Sequence, residues 1–230
     1  MERKFFLVAV AGGSGLRMGA QMPKQFLPLG GKPILRRTIE RFLDACPDAK
    51  VVTVLPDSHM DWWKNYCLEN GFTVPQVLVK GGFTRFHSVR NALERIPEGA
   101  IVAVHDGVRP FVSADLIRSM RDKMASCPAL IPVVPCTDTL KAVRIDGDNI
   151  SSVPGPAPDR SATACAQTPQ MFHSEVLKAA YAQAFDTSFT DDASVVEKNG
   201  TPLSWCLGER RNIKVTTPED LLLAEAMLTF

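Results

Sequence analysis

Short apolar runs alternate with longer stretches in which apolar residues recur every three or four positions. FFLVAV (5–10), VVTVL (51–55), QVLV (76–79), AIVAV (100–104) and ALIPVV (129–134) are too short for helices and read as buried strands. Between them, ILRRTIERFLDA (34–45) sets Ile34, Leu35, Ile39, Phe42 and Leu43 at helical spacing, with Pro47 beyond its end. SHMDWWKNYCLENG (58–71) starts at a Ser cap and stops at Asn-Gly. TRFHSVRNALERI (84–96) closes at Pro97, and SADLIRSMRDKMAS (113–126) starts on another Ser cap. Strand and helix alternate, which predicts a parallel α/β sheet with helices on both faces.

The rhythm breaks between 135 and 172. TLKAVRIDGDNISSV holds two alternating stretches around Asp146-Gly147-Asp148, the pattern of a hairpin. PGPAPDRS follows as an irregular connector. Together they suggest a β-arm, about 136–160, inserted into one domain spanning 1–230. Such an arm serves subunit contacts or is a plain surface hairpin, and composition alone does not separate the two. Beyond it the pattern predicts helices near 174–185 and 191–198, strands near 203–206 and 213–216, and a last helix in TPEDLLLAEAML. Thr217 caps that helix, with Pro218 at its first position.

Composition narrows the partners. Hydrophobic residues make up 45% of the 230 positions and charged residues 22%, the balance of a globular domain. A net charge of +1 offers no basic footprint for nucleic acid. The apolar run near the start is too short for a signal segment or a membrane span, so a cytoplasmic protein is expected. Cys46, Cys67, Cys127, Cys136, Cys165 and Cys206 contain no Cys-x-x-Cys pair and are expected to be free, mostly buried thiols. The four histidines are equally scattered, so a zinc site would have to be gathered from distant residues.

The candidate chemistry begins at AGGSGLRMGAQMPKQF (11–26). Its glycines follow the first strand, where an open α/β sheet places its ligand crevice. Bare backbone there can close around phosphate oxygens. The Walker pattern fails because Gly31-Lys32 is followed by Pro33, and the dinucleotide fingerprint fails at Met18. A tight strand-exit turn without a ligand would also suit the glycines. Arg17 and Lys24 change the balance: a planar guanidinium fork and a mobile ammonium behind a glycine loop make a polyphosphate clamp. In VHDGVRP (104–110), Asp106 falls at the carboxyl tip of a strand. A carboxylate there can hold Mg²⁺ whose other ligands are phosphates and water. Arg109, three residues on, either contacts a ligand or simply pairs with Asp106.

AGGSGLRM…PKQF, GGFTRFHSV, VHDGVRP, DTLK, DRS…AQTPQMF, FTDDASVVE and NIKVTTPEDL occur in that order. The series resembles the 2-C-methyl-D-erythritol 4-phosphate cytidylyltransferases of non-mevalonate isoprenoid synthesis, from about residue 5 to 228. The resemblance implies a Rossmann-like nucleotide-diphospho-sugar transferase fold, a homodimer joined by the β-arm, and Mg²⁺-dependent transfer of CMP from CTP to a polyol phosphate. It implies CTP phosphates on Ala11, Gly12, Gly13, Gly15, Arg17 and Lys24. Cytosine and ribose would lie against Gly82, Ser88, Asp106 and Gly107, with the metal on Asp106. Lys214 would face the reacting phosphate, and Arg109, Thr139, Arg160, Thr168 and Thr190 would hold the acceptor. Arg160 and Thr139 fall in or beside the arm, within reach of a partner's site. Thr190 could equally cap the 191–198 helix.

Some positions depart from the family pattern. Val10 stands for the usual proline, Gly12 for alanine, Gly107-Val108 for Ala-Ala, and Ser161-Ala162-Thr163-Ala164 for a stretch with a larger apolar residue and tryptophan. The last puts the packing of the arm in question, not the chemistry. The acceptor's own phosphate would be the nucleophile, so no general base is expected. D-Ribitol 5-phosphate cytidylyltransferases share the glycine loop, PKQF and a VRPF stretch. DTLK, DRS and TDDASVVE favour methylerythritol phosphate. A non-catalytic nucleotide-binding module is the alternative of another class, and Arg17, Lys24, Asp106 and Lys214 together speak against it.

Overall fold

A computed structural model describes residues 3–13 and 22–229. Gly15 and Arg17 lie outside the described residues. β1 (Lys4–Val10) is followed by a small ribbon of β2 (Pro28–Leu29) and β3 (Lys32–Pro33), then α1 (Ile34–Ala45). β4 (Lys50–Leu55), α2 (Met60–Glu69), β5 (Gln76–Lys80), α3 (Arg85–Leu93), β6 (Ala100–Asp106), α4 (Ala114–Lys123) and β7 (Ala129–Pro135) continue the alternation. Next come β8 (Val143–Asp146), β9 (Asn149–Ser152), β10 (Ala164–Ala166) and β11 (Gln170–His173). α5 (Ser174–Tyr181), α6 (Asp192–Lys198), β12 (Ser204–Leu207) and α7 (Pro218–Met227) complete the chain.

The main sheet has the order β10-β7-β11-β6-β1-β4-β5, and β12 also pairs with β7, in parallel. β6, β1, β4 and β5 are parallel neighbours, with Val10 opposite both Asp106 and Val54. The five strands of the alternating half, β1, β4, β5, β6 and β7, run in one direction, as expected, and the antiparallel members come from the later part of the chain. β11 lies antiparallel between β6 and β7, and β10 runs antiparallel beside the end of β7. The sheet is therefore mixed, though mostly parallel. The segment around Lys214 is not the strand expected at 213–216. It is a loop outside the sheet, tied by the Val215 amide donating to the Val108 carbonyl at 2.9 Å.

β1 is apolar from Phe5 to Val10 because both of its faces are covered. Phe5, Leu7 and Ala9 pack with Leu35, Ile39 and Phe42 of α1 and with Ile117 and Met120 of α4. Phe6 and Val8 pack with Val89 and Ala92 of α3, Leu177 and Ala180 of α5, and Val195 and Val196 of α6. Each such side chain is worth about 1.5–3 kcal/mol when fully buried. A third cluster joins Leu29, Ile34, Val108, Phe111, Val215 and Ala224, and it seats α7 and the Lys214 segment beside the tip of β6.

The expected caps at Ser113 and Thr217 form, and Thr84 caps α3 in the same way. The hydroxyls of Thr84, Ser113 and Thr217 accept from the amides of His87, Leu116 and Asp220. Ser58 does not cap α2. A single 3-10 turn, Asp57–His59, precedes that helix, and the Ser58 hydroxyl bonds His59 Nδ1 instead. Thr190 does not cap α6 either; the Asp191 carboxylate accepts the Ser194 amide in a capping box. The 143–152 hairpin forms as expected, turning at Gly147 with φ of 57°. All residues from 141 to 162 are exposed. The six cysteines are free thiols, but only Cys46 is buried, which corrects the expectation of mostly buried ones.

Candidate active site

The tips of β1 and β6 are neighbours, so the two chemical motifs meet without any loop having to reach. A crevice of about 260 Å³ opens there, lined among others by Gly12, Gly13, Lys24, Ser88, Asp106 and Lys214. Ala11 and Gly82 line it as well. Eight of the expected site residues thus share one space.

Backbone closeness explains Gly12 and Gly82, whereas a Cβ on Gly13 would meet nothing within 4 Å. A Cβ on Gly12 would stand 3.3 Å from the Gly81 Cα, and one on Gly82 would stand 2.4 Å from the Cβ of His87. The two loops pack backbone to backbone, leaving amides beside the crevice. The Ser88 hydroxyl accepts from the Gly82 amide at 3.0 Å and donates to the Thr84 carbonyl at 2.9 Å, so it also shapes that loop. Gly107 is fitted to its place. Its Cβ would meet Leu35 Cδ1 at 2.9 Å and Ala11 Cβ at 3.0 Å, so the packing has closed around the missing methyl group.

Asp106 is the electrostatic centre. Its Oδ2 accepts from Arg109 Nε and Lys214 Nζ, both at 3.1 Å, and its Oδ1 lies 3.8 Å from Arg85 Nε. Burial alone would raise the carboxyl's pKa. Arg85, Lys214 and Arg109 overcome that effect and hold it far below the ordinary aspartate range. Beneath it lies a chain of hydrogen bonds. The Asp106 amide donates to the Thr168 hydroxyl at 3.1 Å, and that hydroxyl lies 3.0 Å from His105 Nδ1. His105 Nε2 lies 3.1 Å from the Arg109 carbonyl, which can only accept. The imidazole proton is therefore on Nε2, and Thr168 donates to Nδ1. Burial depresses the His105 pKa to about 4, so the ring is neutral.

Two features of the site carry no clear signal in the sequence. Gln25, in PKQF, is buried, and its amide donates to the carbonyls of Ala11 at 2.7 Å and Gly13 at 2.9 Å. It ties the lysine turn to the glycine loop. Arg85, in GGFTRFHSV, lines the crevice and is gripped by Asp192 at 2.5 Å; the Tyr181 hydroxyl donates to the other Asp192 oxygen at 2.6 Å. Asp192 is wholly buried, so Arg85 is its compensating charge.

The remaining expected residues are distributed differently. Arg109 pairs with Asp106 and donates to the Asn212 carbonyl at 2.7 Å. It faces a second cavity of about 340 Å³ together with Thr137, Gln167, Arg210 and Asn212. Thr168 is buried beneath Asp106 and lines neither space. Thr139, Arg160 and Thr190 are exposed, away from the crevice of their own chain. Arg160 donates to the Thr137 carbonyl at 3.1 Å.

A metal has one suitable ligand here. Among the described residues no three of His, Cys, Asp and Glu gather as a metal cluster. Asp106 Oδ1, however, stands outside hydrogen-bond reach of Arg85, on a residue that lines the crevice. One carboxylate oxygen beside a glycine loop and two lysines has the chemistry that could hold Mg²⁺, which commonly takes one or two carboxylates plus substrate phosphates.

Glycine backbone, two lysines and a charge-locked aspartate at the carboxyl ends of a Rossmann-like sheet describe a nucleotidyltransferase, an enzyme that works on nucleotide phosphates. Similarity to known proteins supplies the family. The family model for 2-C-methyl-D-erythritol 4-phosphate cytidylyltransferase matches residues 5–230, and the chain belongs to that family. The enzyme of that name from Porphyromonas gingivalis W83 is 46% identical over the full length of both chains. The one from Bacteroides thetaiotaomicron is 45% identical over 96% of this chain and 98% of its own. Among solved structures, the enzyme of the same name from Thermus thermophilus superposes with a TM-score of 0.74 at 33% identity, covering both chains fully. The 4-diphosphocytidyl-2C-methyl-D-erythritol synthase of Anaerococcus prevotii superposes with a TM-score of 0.79 at 27% identity, over 99% of each chain.

Proposed function

We propose that this protein transfers CMP from CTP to 2-C-methyl-D-erythritol 4-phosphate, giving 4-diphosphocytidyl-2-C-methyl-D-erythritol and pyrophosphate. The observation that carries the reading is the shared crevice, where Lys24 and Lys214 line the same space as the Gly12-Gly13 backbone and Asp106. The triphosphate would seat on the glycine loop beside Lys24. Arg17 belongs to that loop in sequence and is assigned to the same task. The cytosine and ribose would lie toward Gly82, Ser88, Asp106 and Gly107, where close backbone approach suits a flat base.

The acceptor's phosphate oxygen attacks the α-phosphorus in line. A new P–O bond forms, the bond to the β-phosphate breaks, and pyrophosphate carries the electron pair away. The nucleophile is already an anion near neutral pH. The neutral His105, with both ring nitrogens engaged, fits a site that needs no base. Lys24, Arg17 and Lys214 offset the charge on the crowded phosphorus, and the rest is positioning. Asp106 is the residue that would hold Mg²⁺, which supplies charge neutralisation to the triphosphate when bound. Arg109, Thr139, Arg160, Thr168 and Thr190 are assigned to the acceptor, Thr168 by holding Asp106 and His105 in place.

A cytoplasmic homodimer joined through the β8–β9 arm completes the proposal. Val143, Ile145 and Ile150 are exposed apolar side chains on that hairpin, with Ile145 directly opposite Ile150. Apolar pairs of this kind on a free-standing hairpin suit burial against a second copy. Arg160 and Thr139 would then be offered to the partner's acceptor site.

The direct test is pyrophosphate release from CTP and Mg²⁺ with 2-C-methyl-D-erythritol 4-phosphate, D-ribitol 5-phosphate or no acceptor. Turnover with the first alone is expected. Turnover with ribitol phosphate alone would overturn the acceptor, and none with either would overturn the enzyme reading. Light scattering of the purified chain tests the dimer.

A further inference from the structure

The root of the arm holds a feature that the transfer reaction does not use. Cys136 follows directly on β7, and Cys165 is the middle residue of β10. Cys165 pairs with Val134 in the antiparallel ladder, so Cys136, two residues on, emerges on the same face as Cys165. Their sulfurs lie 3.4 Å apart, and the two residues are 29 positions apart in sequence. Cys165 is exposed and Cys136 half-buried. Both border the cavity that Arg109, Gln167 and Asn212 also line. By contrast, Cys46 is buried, and burial pushes the thiols of Cys67 and Cys206 up.

We propose that Cys136 and Cys165 are a reversible redox pair that closes to a disulfide within one chain. The oxidant is a peroxide. One thiolate attacks a peroxide oxygen, the O–O bond breaks, and a sulfenic acid and one water result. The second thiol then attacks that sulfur and expels its oxygen as a second water. The two sulfurs lose two electrons to the peroxide, and both thiol protons end in water. A dithiol reductant reverses the step by exchange. The sulfurs need to move from 3.4 Å to about 2.05 Å, a small adjustment for two adjacent side chains at a strand end. The product would tie together both roots of the arm beside Arg109. The hydrogen bond with Cys165 holds the Cys136 thiol above its ordinary value, so closure should quicken as pH rises.

The experiment exposes the full chain to hydrogen peroxide, quenches with an alkylating reagent and maps peptides without reduction. The expected result is a loss of two hydrogens, one peptide linking residues 136 and 165, four of the six cysteines still alkylated, and full reversal by dithiothreitol. Cys136→Ser should abolish the link and leave Cys165 as a single oxidised thiol, a readout independent of stability. Thiol loss spread over the other four cysteines, or a disulfide between chains in place of the internal one, would overturn the proposal.

Discussion

The crevice at the tips of β1 and β6 and the arm that leaves after β7 differ in what holds them. In the crevice nearly every group has a fixed partner. Asp106 is gripped by Arg109 and Lys214, Arg85 by Asp192, and the glycine loop by Gln25. Along the arm, residues 141–162 are exposed, and β8 and β9 form a two-stranded sheet of their own. An isolated hairpin is at best marginally stable in water. The crevice is preorganised by its own chain, whereas the arm has no such internal support, which is why the proposed dimer contact is placed there. Changes in the first should therefore alter folding or chemistry directly. Changes in the second should alter association and leave the body intact.

The strongest way to break this contrast is Arg85→Gln. It would leave the buried Asp192 carboxylate without its cation, at a cost of about 3–5 kcal/mol in denaturant unfolding. A loss below about 1 kcal/mol would mean that the crevice is not held in this way. Close behind come Lys24→Ala and Lys214→Ala. Each is expected to lower kcat by about 10²–10³ in the pyrophosphate assay, the scale of losing one preorganised charge-stabilising donor. Turnover near that of the parent enzyme at saturating substrate would remove both lysines from the chemistry.

Next is pH. The folded His105 pKa of about 4 lies below its ordinary 6.5, so the unfolded chain takes up a proton in that window and the folded chain does not. Stability from this residue is full above about pH 6.5 and is lost as pH falls toward 4, by about 3 kcal/mol in total. His105→Gln should flatten that part of the unfolding profile. The smallest effect sharpens the contrast from the other side. Ile145→Asp on the arm should change unfolding of the body by less than about 0.5 kcal/mol. Light scattering should show the proposed dimer weakened.

Legibility in the sequence followed burial and distance. β1, β4 and β6 stand out because both of their faces are covered, so nearly every position is apolar. β11 does not, because it is four residues long, begins with Gln170 and ends with His173. Gln170 is nonetheless buried, its amide donating to the Asp191 carboxylate at 2.7 Å. The glycine loop and Lys24 are recognisable as residue types fitted to phosphate and Asp106 as one fitted to a metal, whereas Lys214 is reached only through the family pattern. Arg85 opens a helix and looks there like any surface charge; its partner Asp192 lies 107 residues away, and only the fold brings them together. The family pattern assigns Thr168 to the acceptor, yet its hydroxyl is engaged beneath Asp106, a position that composition cannot reveal.

The place of β11 bears on the order in which the chain can assemble. β6, β1, β4 and β5 are all complete by residue 106 and pair only with one another on that side. β7 has no such option, since its route to β6 runs through β11, which emerges only after the whole arm. During synthesis β1, β4, β5 and β6 can therefore form a nucleus on the ribosome while β7 waits. Seating β11 is then the late, entropically costly event, because it closes the loop that carries the whole arm. Until it happens, the apolar edges of β6 and β7 stand open, and that interval is when a nascent chain has most need of a chaperone.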